Sequence, residues 1–157
     1  MSNTSDSDCK INVSVDFYDK NDKIVDTQES DIDVFSAGTE NALDFYCVDE
    51  FSTYKYEIKV SEHEDYLFSV NDKLSCDVSI ATDKAIISAT NNGSETAEYV
   101  RYTALFFKGD NFVYVNCGSL GDDECEIKPG ATEKETASCY EDFDSVKVYL
   151  DGRGSKY

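Results

Sequence analysis

The feature that most constrains this chain is the regular alternation of apolar and polar residues. In the first such segment the apolar positions are Ile11, Val13, Val15 and Phe17, with a polar residue between neighbours. Successive side chains of a β-strand point to opposite faces, so this pattern is typical of an antiparallel strand with one buried and one wet face. The same alternation returns over residues 54–60 and 146–150. The sequence therefore predicts an all-β fold built from half-buried strands.

Turn-forming sequences separate the predicted strands. They recur about every 8–12 residues, the spacing of β-sandwiches and β-barrels. Examples are Lys20-Asn21-Asp22, Ala37-Gly38, Lys108-Gly109-Asp110 and Pro129-Gly130. Residues 131–137 contain good helix formers, but we interpret this segment as a strand because it belongs to the internal repeat described next. The alternation also favours folding over disorder in a chain whose net charge is −19.

An internal repeat organises the chain. At an offset of 89 residues, Asn3 matches Asn92 and Phe17-Tyr18 matches Phe106-Phe107. At an offset of 92 residues, the matches are Gly38 with Gly130, Cys47 with Cys139 and Phe51 with Phe143. The repeat predicts two tandem antiparallel β-sandwich units, at residues 1–62 and 66–157, with a polar link at residues 61–65.

The two predicted units differ in completeness. The second contains residues 66–91 ahead of the repeated part, whereas the first has no counterpart of this stretch. We therefore expect about five strands in the first unit and about seven in the second. A unit without its N-terminal strands has open sheet edges and a partly uncovered core. We expect that the sequence begins inside a longer protein. The alternatives are that the neighbouring unit or another chain covers the gap, including self-association through the first unit.

Short motifs in both halves carry a family resemblance. They are Val15-Asp16-Phe17-Tyr18-Asp19 before Ala37-Gly38, and Ala104-Leu105-Phe106-Phe107-Lys108 before Pro129-Gly130. Each half resembles the FxLYD domain, a small immunoglobulin-like β-sandwich repeat of extracellular and lipoprotein-type bacterial proteins. The leading Phe of the motif is replaced by Val15 or Ala104 and its Leu by Phe in both halves. Its final Asp is Lys108 in the second half.

The resemblance implies a complete immunoglobulin-like unit at residues 66–157 and a partial one at residues 1–62. It also implies an extracellular or cell-surface location on a bacterial envelope, after removal of a signal segment that this sequence does not contain. Attachment to a membrane would then require an anchor outside the chain. The family offers no catalytic residues to carry over.

The six cysteines suit disulfides in an oxidising compartment, because their number is even and the chain is small and β-type. The first predicted pair is Cys117 with Cys125, which flank a short loop between predicted strands. The other predicted pairs are Cys76 with Cys139 and Cys9 with Cys47. Free buried thiols are the main alternative. Zinc is disfavoured because the cysteines are not closely paired and the chain has a single histidine.

Charge and histidine content exclude several functions. With 33 acidic and 14 basic residues, the chain lacks the positive charge that binding to nucleic acid or anionic lipid requires. The only histidine, His63, lies between Glu62 and Glu64, which favour its charged form and make it a poor general base. We therefore expect an exposed linker histidine, no enzyme activity and no cofactor.

Acidic turns add one further possibility. Residues 19–22 and 121–124 cluster side-chain oxygens of the kind that bind Ca²⁺, although Asp and Asn are also favoured in turns for backbone reasons. The sequence favours a non-catalytic extracellular module that acts as a structural spacer or as a protein–protein or adhesion domain, with an unidentified protein or glycan partner. The alternative is a ligand-binding module for Ca²⁺ or glycan that uses these turns and exposed tyrosines.

Overall fold

The computed structural model describes residues 1–121 and 124–156. Within these residues the chain forms strands and one 3₁₀ turn, Asn71–Lys73, so the prediction of an all-β fold is confirmed. The strands are β1 (Cys9–Tyr18), β2 (Ile24–Phe35), β3 (Thr53–Ser61), β4 (Leu67–Ser69), β5 (Leu74–Ala81), β6 (Lys84–Asn91), β7 (Glu98–Lys108), β8 (Asn111–Ser119), β9 (Thr132–Ser138) and β10 (Ser145–Ser155).

Seven of these strands form a two-layer arrangement, which we call the sandwich. One layer has the strand order β4-β10-β7-β8 and the other the order β5-β6-β9, and all pairs are antiparallel. The layers share one apolar core, because the inward side chains of both sheets belong to a single cluster. Its buried members in β6 and β7 are Ala85, Ile87, Ala89, Val100, Tyr102, Ala104 and Phe106.

Strand β9 lies in the segment whose composition suggested a helix. It pairs with β6, with Thr136 opposite Ile86, and buries Ala137 in the core of the sandwich. Pairing and burial therefore override the helix propensity of its Glu, Lys and Ala residues. The interpretation of this segment as a strand is confirmed.

The remaining three strands form a separate antiparallel sheet, the open sheet, in the order β2-β1-β3. Its apolar core is built on β1, and Leu43, Phe45 and Cys47 pack against that core from the segment that follows β2. This segment, residues 41–47, has coil geometry. The expectation of about five strands in the first unit is therefore wrong. A strand needs a neighbour for its backbone hydrogen bonds, and among the described residues segment 41–47 has no ladder partner.

The open sheet has the same strand pairing as three strands of one sandwich layer, β8, β7 and β10. The equivalent residues are separated by the offsets of the sequence repeat. Val15 of β1 lies opposite Tyr56 of β3, and Ala104 of β7 lies opposite Val148 of β10. The ring centroids of Phe17 and Phe51 are 4.9 Å apart, and those of Phe106 and Phe143 are 4.8 Å apart. The strands β2-β1-β3 thus correspond in order and register to β8-β7-β10.

A buried asparagine recurs in the same place in both parts. Asn91 is only 1% exposed, and its amide nitrogen donates to the carbonyl oxygens of Glu95 and Ile127, each at 2.8 Å. Its side-chain oxygen accepts a hydrogen bond from the Gly93 amide at 2.9 Å. The amide nitrogen of Asn3 likewise donates to the carbonyl oxygens of Ser7 and Phe35, at 3.1 and 2.8 Å, and its side-chain oxygen accepts from the Ser5 amide.

The structural counterpart of Asn3 is thus Asn91, at an offset of 88. The sequence match of Asn3 with Asn92 is wrong by one residue. Asn92 is exposed and bonds to the carbonyl of Lys73. Only the asparagine whose side chain turns inward can satisfy the backbone groups of the turn.

We expect Asn91→Ala to destabilise the chain by about 2–4 kcal/mol, because buried backbone groups lose their partners. The melting temperature should fall by roughly 5–15 °C, measured by circular dichroism. The matched control is Asn92→Ala, which removes an exposed side chain and should cost less than about 1 kcal/mol. Equal losses for the two variants would contradict the assignment.

Candidate protein-interaction surface

Strand β3 is exposed along its whole length. Its pattern predicted one buried and one wet face, but all nine of its residues are exposed, so this expectation is wrong. The apolar side chains are Tyr54, Tyr56, Ile58 and Val60, and Tyr54 and Tyr56 keep 59% and 65% of their surface in water. Contiguous exposed apolar residues of this kind mark interaction surfaces.

These side chains continue the apolar face of β1. Phe17 lies opposite Tyr54, Val15 opposite Tyr56, Val13 opposite Ile58 and Ile11 opposite Val60. The β1 residues are buried, whereas their β3 partners are exposed. We call the exposed apolar side of β3 and the adjoining groove the open face. The groove has a volume of about 460 Å³ and is lined by Met1, Val13, Val15, Phe17, Phe45, Phe51, Tyr54, Tyr56 and Ile58.

The sandwich shows why the open face stays exposed. There, the counterpart of β3 is β10, whose apolar residues Val146, Val148 and Leu150 pack against the shared core. The second layer of the sandwich makes this burial possible. Beneath the open sheet, the described part of the chain provides cover mainly through segment 41–51, which packs against the core while β3 stays exposed. The open face therefore results from a missing layer, since the apolar pattern of β3 is intact.

A second feature, the junction, joins the open sheet to the outer side of the sandwich. Both arginines of the chain lie there. Arg101 pairs with Asp151 at 3.0 Å and also donates to the carbonyl oxygen of Asp31 in β2 at 3.0 Å. Arg153 pairs with Asp33 of β2, and Lys10 of β1 pairs with the same carboxylate at 3.0 Å. The junction thus links β7 and β10 to β2 through charge-assisted hydrogen bonds.

The segment after β2 makes further contacts across the junction. The Thr103 hydroxyl donates to the carbonyl oxygen of Ala42 at 3.1 Å, and the Cys117 thiol donates to the Asp44 carboxylate at 3.0 Å. Lys147 pairs with Glu40 at 3.0 Å, although both side chains are more than half exposed. Such an exposed pair contributes little. The junction therefore rests chiefly on the arginine contacts.

Local electrostatics and backbone geometry distinguish the junction. Burial raises the pKa of the Asp151 carboxyl, and the nearby Arg101 guanidinium partly opposes the shift. Tyr99 has φ of 52°, a left-handed conformation that is unusual for a bulky residue. The Arg153 guanidinium lies 4.4 Å from the centre of the Tyr99 ring, in cation–π contact. The Tyr99 ring therefore contacts the same Arg153 side chain that forms the ion pair with Asp33.

All six cysteines lie among the described residues, and each is a free thiol. The predicted pair Cys76–Cys139 is wrong. Cys76 lies opposite Ala89 of β6, whereas the Cys139 amide bonds to the carbonyl of Asp83. The six residue steps from Asp83 to Ala89 span about 20 Å of strand, and a disulfide needs Cα atoms within about 7 Å.

The predicted pair Cys9–Cys47 is wrong for the same reason. Cys9 lies opposite Phe35 at one end of β2, whereas Tyr46, beside Cys47, bonds to Gln28. The stretch of β2 from Gln28 to Phe35 is about 20 Å long.

The predicted pair Cys117–Cys125 is also absent. Cys117 lies opposite Thr103 of β7, whereas the carbonyl of Cys125 accepts the amide of Val100. These two β7 residues are about 10 Å apart along the strand. The Cys117 thiol instead bonds to Asp44. Sequence spacing suggested a closed loop, but the strand register keeps the two sulfur atoms apart.

The other singled-out residues have local roles. His63 is partly exposed, and its Nδ1 is 3.0 Å from the carbonyl oxygen of Glu64. In the acidic turn at residues 19–22, an Asp19 oxygen accepts the backbone amides of Asn21 and Lys23, at 2.8 and 3.0 Å. These bonds hold the pKa of the Asp19 carboxyl below its usual value. The carboxylate therefore organises the turn.

The described residues contain no group of three or more His, Cys, Asp or Glu side chains arranged to hold a metal ion. Asp122 and Asp123 of the second acidic turn lie outside the described residues. Within the described part of the chain, we find no helix with the length and apolarity of a membrane span. In comparisons with known proteins, no family model, no curated protein and no solved structure matches this chain. The FxLYD resemblance therefore stays a prediction.

Sequence reasoning anticipated a partly uncovered core in the first unit but did not assign it to β3, and it missed the junction. The junction did leave a signal, because the chain has only two arginines and both contact carboxylates there. For the open face, the unequal length of the two halves was the signal, but the alternation could not show which strand is uncovered because β3 and β10 have the same pattern.

The Cys117 thiol provides a test of the junction. Burial, reinforced by the hydrogen bond to Asp44, raises the pKa of Cys117 to about 12, so little reactive thiolate exists at pH 8. Asp44→Asn removes the negative charge and should lower this pKa, which speeds alkylation of Cys117 by iodoacetamide severalfold. Peptide mapping by mass spectrometry gives the rate.

The control for this test is Asp49→Asn. The Cys47 thiol donates to the backbone carbonyl of Asp49 and not to its side chain, so the Cys47 rate should not change. A Cys117 rate that is unaltered in Asp44→Asn would show that the thiol does not face Asp44 in solution.

Proposed function

We propose that this chain is a non-catalytic extracellular module of a bacterial cell envelope, built from two tandem immunoglobulin-like units of which the first is incomplete. In this proposal it acts as a structural spacer that displays a protein-interaction surface. The sandwich is the support, the open sheet carries the surface, and the junction fixes one to the other.

The observation that carries the proposal is the junction. Residues 62–66 link the two parts through the chain, but the arginine contacts add a second, non-covalent connection. The Arg153 and Asp33 side chains are only 22% and 28% exposed, so solvent screens this pair less than a surface pair. A guanidinium also holds a carboxylate in a fixed direction through its planar fork. This connection supports a spacer of fixed shape in preference to two freely jointed domains.

Charge also supports this role. The chain carries a net charge of −19, so its two parts repel one another over most of their surfaces. Cationic side chains at the point of contact offset that repulsion locally. An acidic surface elsewhere keeps a displayed module soluble.

We expect Asp33→Asn to loosen the junction, because Arg153 and Lys10 lose their common carboxylate. The cost should be about 1–2 kcal/mol, and small-angle X-ray scattering should show a larger maximum dimension. Faster proteolytic cleavage at residues 61–65 should accompany the change. Salt should weaken the junction of the unmodified chain in the same direction.

The matched control is Glu57→Gln, which changes a carboxylate to an amide on the exposed strand β3. Among the described residues its one ion pair, with Lys59, spans 3.8 Å between two exposed side chains, so scattering and proteolysis should not change. An unchanged scattering profile in both Asp33→Asn and Arg153→Ala would overturn the spacer proposal.

A further inference from the structure

We propose that the open face binds an extended β-strand of another polypeptide, one with small and branched apolar side chains at alternate positions. The strand would lie against β1 and β3 and pair with segment 41–47, in the way that β6 pairs with β9 in the sandwich. The proposal extends the protein-binding part of the proposed function by naming the chemistry of the partner. It does not depend on the rigidity of the junction.

The sandwich provides the template for the bound state. The pairs Val15–Tyr56 and Ala104–Val148 occupy equivalent positions in the two ladders. In the sandwich, the second layer over this position includes β6, whose inward residues Ala85, Ile87 and Ala89 are fully buried. Over the open sheet, the equivalent space is the groove of about 460 Å³. A strand with small and branched apolar side chains at alternate positions, like β6, is therefore the kind of segment that the groove would accept.

A backbone edge for the incoming strand is also present. In the sandwich β6 pairs with β9, with Thr90 opposite Thr132. The equivalent bridge beneath the open sheet joins Ser2 to Glu40, and the Asn41 amide donates to the carbonyl of Met1 at 3.0 Å. The described part of the chain carries this ladder no further. Segment 41–47 is thus placed like β9 and lacks its neighbour, which is the arrangement required for strand addition.

The charges near the groove limit the partner. Segment 40–50 contains no Lys or Arg. It contains four carboxylates, which belong to Glu40, Asp44, Asp49 and Glu50. A bound strand should therefore carry neutral or basic residues on its outward face, as β6 does with Lys84, Ser88 and Thr90. Two copies of this chain, each with a charge of −19, repel one another. The free edge of β3 carries Lys55 and Lys59, a common protection against edge-to-edge pairing. These charges favour a different, non-acidic polypeptide over a second copy.

The test uses the full chain and a fluorescein-labelled peptide with the sequence of residues 84–88, because Met1, Ser2 and Asn3 already occupy the places equivalent to residues 89–91. We expect saturable binding at one site, measured by fluorescence anisotropy. In the NMR spectrum of the chain, the amide signals of residues 41–47 and 54–58 should shift, and those of 41–47 should gain protection from hydrogen exchange. The same peptide with Ile87→Lys presents a charge to the groove and should not bind.

Two variants of the chain complete the test. Tyr56→Lys places a charge on the open face and should weaken peptide binding about tenfold or more. Tyr140→Lys makes the same change at an exposed tyrosine outside the open face and should leave binding unchanged. Both side chains are largely exposed, so we expect both variants to fold. Their melting temperatures should be close to that of the unmodified chain.

Several outcomes would overturn the proposal. They are no binding by the folded chain at millimolar peptide, equal binding of the Ile87→Lys peptide, and NMR shifts confined to β9, which would mean that the peptide replaces β6 in the sandwich. Concentration-dependent dimerisation that excludes the peptide and is lost in Tyr56→Lys would assign the face to a second copy instead. Failure of peptide binding would leave the scattering result for Asp33→Asn intact, so the two proposals fail separately.

Discussion

A sheet with one apolar face needs a second layer over that face, and the rest of this structure depends on where that layer is present. In the sandwich, β6 supplies inward side chains that close the core over β7 and β10. Beneath the open sheet, segment 41–51 closes the core over β1 and β2 and leaves β3 exposed. The exposed aromatic residues of β3, the unpaired segment 41–47 and the groove between them all follow from this single difference.

The alternation of residues predicted the strands well and their burial only in part, because the pattern reports which face of a strand is apolar and not what covers it. Residues 54–60 and 146–150 alternate alike, yet only the second set packs in a core. Strand β9 was predictable despite its helix formers because the repeat placed it in line with other strands. Segment 41–47 occupies the same place in the repeat but forms no strand, since a ladder requires a neighbour that sequence position alone does not guarantee.

The repeat located matching positions in the two halves of the chain but not their roles. Cys47 and Cys139 match at an offset of 92, and each thiol lies 3.3 Å from the backbone carbonyl two residues further on. Their shared role is a local bond in a turn, whereas the sequence suggested disulfides. The two neighbouring asparagines at positions 91 and 92 posed a similar problem. Burial selects the first, and a one-residue shift in register reverses which side chain points inward.

The strong negative charge has opposite consequences at the junction and at the open face. At the junction it makes cations necessary, and the chain places its only two arginines there, where a planar guanidinium can bond both a carboxylate and a backbone carbonyl. At the open face it acts over longer range by keeping like-charged copies apart. An apolar sheet face would otherwise associate with itself. The charge that complicates assembly within one molecule therefore keeps the open face available to a strand of different charge.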